Sequence, residues 1–384
     1  MKMTTESSMD PPSSTTKIMI VDDSVVVRGM LRGIIEQDRR FHIVSSAQNG
    51  LRGVEDYKRH KPDIVLMDIE MPEMDGMTAL KEILAFDPKA KVIMCSSLTQ
   101  SGAQITVDAL RIGAVDCLSK PSSKTIDRSA AFEEQLLLKL RMLAKPESAP
   151  NRDRGDAPAH TPSLPALPKI LDDRDIKLVP YPMPLPNNFP LALAIGSSTG
   201  GPKALIEVLS GLNKKIALPI FISQHIPQGF SKYLAENIQK HTGFPTHEAE
   251  QDMAIEAGHI YIAPGGLHMA IKAGAPKRID LLDTPPVNFC KPSVDVMLES
   301  IAAHYGAGIL TVILTGMGAD GKNAAVKMAT DSRYNIVIAQ DKNSSVVWGM
   351  PGAVANAGIC HSILPADSIA DAINHLIYRK EPKG

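Results

Sequence analysis

Leu191-Ala192-Leu193-Ala194-Ile195-Gly196-Ser197-Ser198-Thr199-Gly200-Gly201-Pro202 joins a short apolar run, a glycine-rich turn and the start of a helical pattern. A buried strand that feeds a helix and then another strand implies a parallel sheet, and so an α/β fold. The turn also carries chemistry. A serine between strand and helix stands clear of the backbone, with amide N–H groups pointing at whatever it attacks. Gly196, Ser198 and Gly200 have the G-x-S-x-G spacing of a nucleophile elbow. Two other polar residues occupy comparable places: His225 ends the run Pro219–Gln224, and Asp320 follows Ile309–Leu314. A serine, a histidine and an aspartate past three strand ends suggest a hydrolase.

The rhythm around this stretch extends the α/β reading. Downstream, strands are expected at Leu191–Ile195, Pro219–Gln224, Ile260–Ala263, His268–Lys272, Ile279–Leu282, Ile309–Thr315 and Ile336–Ala339, with a crossover helix over Pro202–Leu212. Upstream, Lys17–Val21, His42–Ala47, Ile64–Met67, Lys91–Cys95 and Asp116–Leu118 are apolar and rich in β-branched residues, as buried parallel strands require. Helical patterns at Val25–Gln37, Gly50–Lys58, Met77–Phe86, Gly102–Ile112 and about Lys124 to Leu143 fall between and after them. The expectation is a five-stranded, doubly wound parallel unit over 17–143 and a second doubly wound, mainly parallel α/β unit over 191–381. Between them, residues 144–190 crowd with prolines and read as a partly extended linker, with local docking of Lys169–Val179 left open.

With 384 residues the chain has room for two such cores. A net charge of −1 gives no general attraction for nucleic acid or an anionic membrane surface. No apolar run is long enough to span a bilayer. Residues 1–16 are polar and Ser/Thr-rich, without the apolar stretch of a secretory signal, and read as a disordered tail. Cys95, Cys117, Cys290 and Cys360 are scattered, which suits buried free thiols better than zinc. A cytoplasmic protein is expected.

In the first half, Asp22 and Asp23 close the first strand and Asp68 the third. Ligands of doubly wound sheets bind beyond the carboxyl ends of the strands. Three carboxylates converging there repel one another unless a hard cation sits among them, and Mg²⁺ suits oxygen ligands. Ser96 and Lys120 follow the fourth and fifth strands on the same edge, where a hydroxyl and an ammonium can orient and neutralise phosphoryl oxygens. Lys120 precedes Pro121, a candidate cis-proline. Taken singly, Asp23 reads as a helix cap and Lys120 as a solvated charge. Together these residues point to one phosphoryl-binding pocket.

Val21-Asp22-Asp23-Ser24, Met67-Asp68-Ile69-Glu70-Met71-Pro72, Cys95-Ser96-Ser97 and Leu118-Ser119-Lys120-Pro121 resemble a response-regulator receiver domain over about 17–143. The resemblance implies that Asp68 accepts a phosphoryl group from a partner histidine kinase. It also implies that Asp22, Asp23, Asp68 and the Glu70 carbonyl hold Mg²⁺, and that Ser96 and Lys120 read the phosphorylated state.

In the second half, His225 lies 27 residues after Ser198, one strand–turn–helix–strand step. A right-handed crossover puts both at one edge of a sheet, where His225 can activate the weak serine nucleophile. Asp320 can accept the other imidazole N–H, and backbone amides near Gly200–Gly201 and Gly316–Gly318 can serve a developing oxyanion. Phosphate binding at Gly196–Gly201 is a rival, since helix N-termini attract anions, although the turn lacks a Walker lysine. A non-catalytic output module is another, although no basic recognition helix is evident.

The order Ser…His…Asp departs from that of ordinary α/β-hydrolases. With the turn at Gly196, Gln224-His225-Ile226-Pro227, Ala263-Pro264-Gly265-Gly266-Leu267-His268, Lys291-Pro292-Ser293-Val294-Asp295, Thr315-Gly316-Met317-Gly318-Ala319-Asp320-Gly321 and Trp348-Gly349-Met350-Pro351-Gly352, it is similar to the protein-glutamate methylesterases of bacterial chemotaxis, which are also glutamine deamidases. The resemblance implies Ser198 as nucleophile, His225 as general base, Asp320 as its orienting carboxylate, and Thr199 and the Met317 amide as transition-state helpers. It further implies methylated chemoreceptors as substrate, restraint by the receiver until Asp68 is phosphorylated, and no cofactor for the ester chemistry.

Overall fold

The computed structural model describes residues 15–96, 99–120, 127–144 and 176–378, whose strands build two parallel sheets, each with its own helices. The first is built on β1 (Thr16–Val21), β2 (Phe41–Ala47), β3 (Ile64–Asp68), β4 (Val92–Ser96) and β5 (Asp116–Ser119). Helices α1 (Val25–Ile35), α2 (Gly50–His60), α3 (Gly76–Phe86), α4 (Gln100–Ile112) and α5 (Asp127–Leu143) alternate with and follow them. The sheet order is β2-β1-β3-β4-β5. Parallel pairing sets Val21 opposite Met67 and Asp68 opposite Cys95, so the ends of β1, β3 and β4 lie level. Strand cores are fully apolar, as in Ile18–Val21 and Ile64–Met67, because helices cover both faces. β1 begins at Thr16, one residue inside the expected tail, where the Thr16 amide donates to the Arg40 carbonyl.

The second unit holds β6 (Ala192–Ser197), α6 (Gly201–Ser210), β7 (Ile220–Gln224), α7 (Ser231–Thr242), β8 (Thr246–Glu248), β9 (Ile260–Ile262), β10 (His268–Lys272) and β11 (Arg278–Leu282). It continues with α8 (Val294–Tyr305), β12 (Ile309–Ile313), α9 (Lys322–Asp331), β13 (Ile336–Gln340), α10 (Gly349–Asn356), β14 (Ser362–Leu364) and α11 (Ala366–Tyr378). Seven parallel strands lie in the order β14-β13-β12-β6-β7-β9-β8. β10 and β11 form a separate antiparallel hairpin.

Side chains alternate across this sheet with the period of two that strands impose. Leu193, Ile195, Ile220, Ile222, Leu310 and Val312 pack with Leu205 and Val208 of α6, Leu234 of α7 and Ile369 of α11. Ala192, Ala194, Phe221, Ile309 and Ile313 pack on the other face with Met297 and Ile301 of α8, Met328 of α9 and Val354 of α10. The sheet is doubly wound, with its central strand β6 ending at Ser197.

Part of the expected linker belongs to this unit. The Val179 amide donates to the Cys360 carbonyl at 2.8 Å, the Tyr181 hydroxyl meets Ser362 Oγ at 2.6 Å, and Phe189 is buried in the core. Apolar side chains among the prolines supply that anchorage. Residues 145–175, Ser97 and Pro121 lie outside the described residues. β8 and β14 were not expected; β8 is a polar and β14 a half-buried edge strand, and neither shows an apolar run.

Candidate active site

Parallel pairing of β6 with β7 places Ser197 opposite Gln224, so the next residues, Ser198 and His225, leave neighbouring strand ends together. Their backbones are tied: the His225 amide donates to the Ser197 carbonyl at 3.0 Å, and the Ser198 amide to the Thr315 carbonyl beyond β12 at 3.0 Å. The buried Gln224 side chain clamps the turn. Its Nε2 donates to the carbonyls of Ser198 and His225, each at 2.9 Å, while its Oε1 accepts the Ser197 hydroxyl at 2.6 Å. Gly201 makes room for that amide, since a Cβ there would lie 2.0 Å from Gln224 Oε1. A Cβ on Gly316 would lie 2.8 Å from Ser198 Cβ, so that glycine lets the loop after β12 close against the serine.

Asp320 sits in the loop before α9 and is 2% exposed. Its Oδ2 accepts from His225 Nε2 at 2.8 Å and from the Val294 amide at 2.6 Å. Its Oδ1 accepts from Ser293 Oγ at 2.7 Å, Asn288 Nδ2 at 2.8 Å and the Asp295 amide at 3.2 Å. Two of those donors are the first amides of α8, whose N-cap Ser293 makes no capping bond of its own. Asp320 therefore caps α8 from a distant loop, where the helix N-terminus favours negative charge. Burial opposes its ionisation, but the bonds from His225, Asn288 and Val294 prevail and hold the carboxyl at about 2. Asn288 also donates to Asp295 at 2.8 Å, and buried His268 accepts the Ser293 amide at 3.0 Å, so the cradle has its own supports.

With Nε2–H committed to Asp320, His225 Nδ1 is the nitrogen left to accept a proton. It faces Cys290 Sγ at 3.5 Å. No hydrogen bond joins Ser198 Oγ to His225 among the described residues. Burial disfavours the charged ring, but Cys290 and Asp320 outweigh it and raise the His225 pKa. The serine thus stands level with the base without engaging it, a looseness common before substrate binds.

His225, Cys290 and Asp320 carry ligand atoms within 4.8 Å of one another. They do not fit a metal well. Five donors already fill the Asp320 oxygens, and His225 has one nitrogen left. Thr199 is buried beside Ser198, and its carbonyl accepts the Thr315 hydroxyl at 2.9 Å. Met317 is half-buried, and its amide donates to no group among the described residues. A depression of about 400 Å³ lined by Gln228, Gly229, Glu248, Gly265 and Leu281 includes none of Ser198, His225 and Asp320.

In the first unit, carboxylate oxygens of Asp22, Asp23 and Asp68 come within 4.8 Å of one another. Lys120 Nζ lies 2.7 Å from both Asp22 and Asp68. Burial raises the Asp68 pKa despite Lys120, whereas Lys120, also disfavoured by burial, is held charged by Asp22 and Asp68. One ammonium against three carboxylates leaves negative charge over, and an all-oxygen set suits a hard divalent cation such as Mg²⁺. Ser96 ends β4, buried, and Glu70 is exposed two residues past the end of β3.

Residues 193–373 match the CheB methylesterase family, and residues 18–128 match the response regulator receiver domain. A protein-glutamate methylesterase/protein-glutamine glutaminase of Paramagnetospirillum magneticum is 42% identical over 97% of this chain and 99% of its own length.

The chain belongs to the CheB methylesterase family.

A second such protein, from Rhodospirillum rubrum, is 41% identical over 96% of each chain. The crystal structure of the Thermotoga maritima CheB methylesterase catalytic domain is 37% identical with a TM-score of 0.47, covering 49% of this chain and 99% of that one. The chain therefore joins a receiver domain to a CheB methylesterase domain, and no described helix is long and apolar enough to cross a membrane.

Among the cysteines, one departs from the expectation of buried thiols. Cys95, Cys117 and Cys360 are buried free thiols as expected, but Cys290 is half-exposed and lies against His225. Gln224, Asn288 and Ser293 were missed as site residues. The signal for Gln224 was available: a fully buried amide ending an apolar strand must find partners nearby.

Proposed function

We propose that this chain hydrolyses glutamate methyl esters on chemoreceptors and deamidates their glutamines, using Ser198, His225 and Asp320, under the control of phosphorylation at Asp68. The observation that carries this reading is the 2.8 Å bond between His225 and Asp320 at a strand end level with Ser198.

Ser198 Oγ attacks the γ-carbonyl of the substrate while His225 Nδ1 takes its proton. Asp320 fixes the tautomer and stabilises the imidazolium. The Met317 amide would stabilise the developing oxyanion, with Thr199 as a second helper in the turn. His225 returns the proton to the leaving methoxy oxygen, which departs as methanol, or to the leaving amide nitrogen, which departs as ammonia when the substrate is glutamine. It then deprotonates the water that releases the glutamate carboxylate, and no cofactor is called for. In the receiver, Asp22, Asp23, Asp68 and the Glu70 carbonyl would hold Mg²⁺, which supplies positive charge against phosphoryl oxygens when bound. Asp68 accepts the phosphoryl group from a chemotaxis-type histidine kinase, and Ser96 and Lys120 bind its oxygens. The reading places the protein in the cytoplasm, with no nucleic-acid partner and no direct membrane insertion.

A fluorophosphonate tests the serine. Mapping of the label to Ser198, with loss of labelling in His225→Gln, is expected. Labelling elsewhere, or unchanged by that substitution, contradicts the proposed dyad.

A further inference from the structure

The loop that supports Asp320 also delivers a thiol to the base. Asn288 and Phe289 both have positive φ, +52° and +63°, in the left-handed region that non-glycine residues rarely adopt. The Val287–Cys290 pairing closes this turn, with the Val287 and Cys290 amides donating to each other's carbonyls at 3.1 and 2.9 Å. Asn288 is held at its other end by Asp295 and Asp320. The turn thus sets Cys290 Sγ 3.5 Å from His225 Nδ1, while the thiol also donates to the Asn288 carbonyl at 3.3 Å, so its one proton has two acceptors in reach. The imidazole is oriented from behind by Asp320. Sulfur, imidazole and carboxylate follow one another as in an activated thiol site.

Access separates this cysteine from the other three. Cys95, Cys117 and Cys360 are buried, whereas Cys290 is partly open to solvent in a loop whose neighbour Phe289 is 81% exposed. Burial also pushes the Cys95 and Cys360 thiols up to about 12, so they stay protonated and inert.

We propose that Cys290 is a covalent modification site, a thiol that His225 activates toward hydroperoxides and whose oxidation disables the esterase. His225 Nδ1 accepts the thiol proton, and the thiolate attacks one peroxide oxygen. An S–O bond forms as the O–O bond breaks. Sulfur gives up two electrons, the peroxide is reduced, and the departing hydroxide (from hydrogen peroxide) or alkoxide (from an organic hydroperoxide) takes the proton from His225 to leave as water or an alcohol. The product is a sulfenic acid at Cys290. Its oxygen then stands at the nitrogen that Ser198 needs, so hydrolysis falls until a thiol reductant restores the sulfur. Activation of the thiol rests on geometry alone; only its effect on hydrolysis rests on the function proposed above.

The full-length protein, treated with iodoacetamide at pH 7 and mapped by mass spectrometry, tests the first part. Cys290 should react first among the four cysteines, about tenfold or more faster than a short cysteine peptide, and His225→Gln should remove that advantage. Reaction no faster than the peptide, or equally fast in His225→Gln, overturns the activation. Hydrogen peroxide followed by a methanol-release assay tests the second part. The parent should lose most of its rate and regain it with dithiothreitol, while Cys290→Ala keeps whatever rate it has untreated. Equal loss in Cys290→Ala overturns the switch even if labelling succeeds. Absence of ester hydrolysis in untreated parent would instead fault the functional reading and leave the labelling result standing.

Discussion

Two buried carboxylate sites at strand ends of this chain are provided for in opposite ways. Asp320 has five donors for one carboxylate, including a helix N-terminus, and its oxygens have nothing left to offer. Asp68 accepts one backbone N–H and shares one lysine with Asp22. The first is held ionised to about 2; the second has a raised pKa because burial outweighs its partners. A saturated carboxylate can only orient what it touches. An under-served one has affinity to spare for a cation and nucleophilic lone pairs to spare for a phosphoryl group. Partner count, rather than residue type, separates the positioning role from the receiving role.

That contrast is open to attack at each site. Asp320→Asn presents a donor where His225 Nε2–H needs an acceptor, which favours the wrong tautomer. Its kcat/KM for methanol release should fall by about 10⁴. A fall of less than about tenfold would mean that the saturated carboxylate does not orient the base.

Next comes acid stability. A group whose folded pKa lies near 2 against 3.8 unfolded stabilises the fold above pH 4 and loses that contribution as pH falls through 2. The amount is about 2 kcal/mol. Urea unfolding of parent and Asp320→Asn from pH 5 to pH 2 should show the parent losing the larger share. Parallel curves would mean that the carboxylate is not held ionised.

Asn288→Ala removes one donor shared by Asp320 and Asp295, and should cost about tenfold in kcat/KM with the fold intact. An unchanged rate would show that four donors suffice. The smallest effect on basal hydrolysis is expected from Asp68→Asn, which should instead bring the ratio of rates with and without acetyl phosphate and Mg²⁺ to about one. Stimulation equal to the parent's would move the phosphoryl acceptor elsewhere.

Much of the architecture was legible because buried parallel strands advertise themselves as apolar, β-branched runs, and because glycine turns mark where they end. Ser198, His225 and Asp320 stood out by lying just past such runs. The sequence could not show that Asp320 caps α8, since the helix it serves begins 26 residues earlier in the chain. Nor could spacing reveal Cys290: scattered cysteines bear on zinc and disulfides, whereas a left-handed turn that sets one thiol against an imidazole leaves no mark in spacing. Edge strands β8 and β14 escaped because Thr246–Glu248 is polar and Ser362–Leu364 is only half-buried, so neither makes the apolar run that revealed the equally short β9.

The central claim is that Ser198 supplies the attacking hydroxyl. Methanol release from methylated chemoreceptor membranes, compared between the full-length protein and Ser198→Ala at equal concentration, tests it most directly. A loss of about 10³-fold or more is predicted. A rate within about twofold of the parent would contradict it.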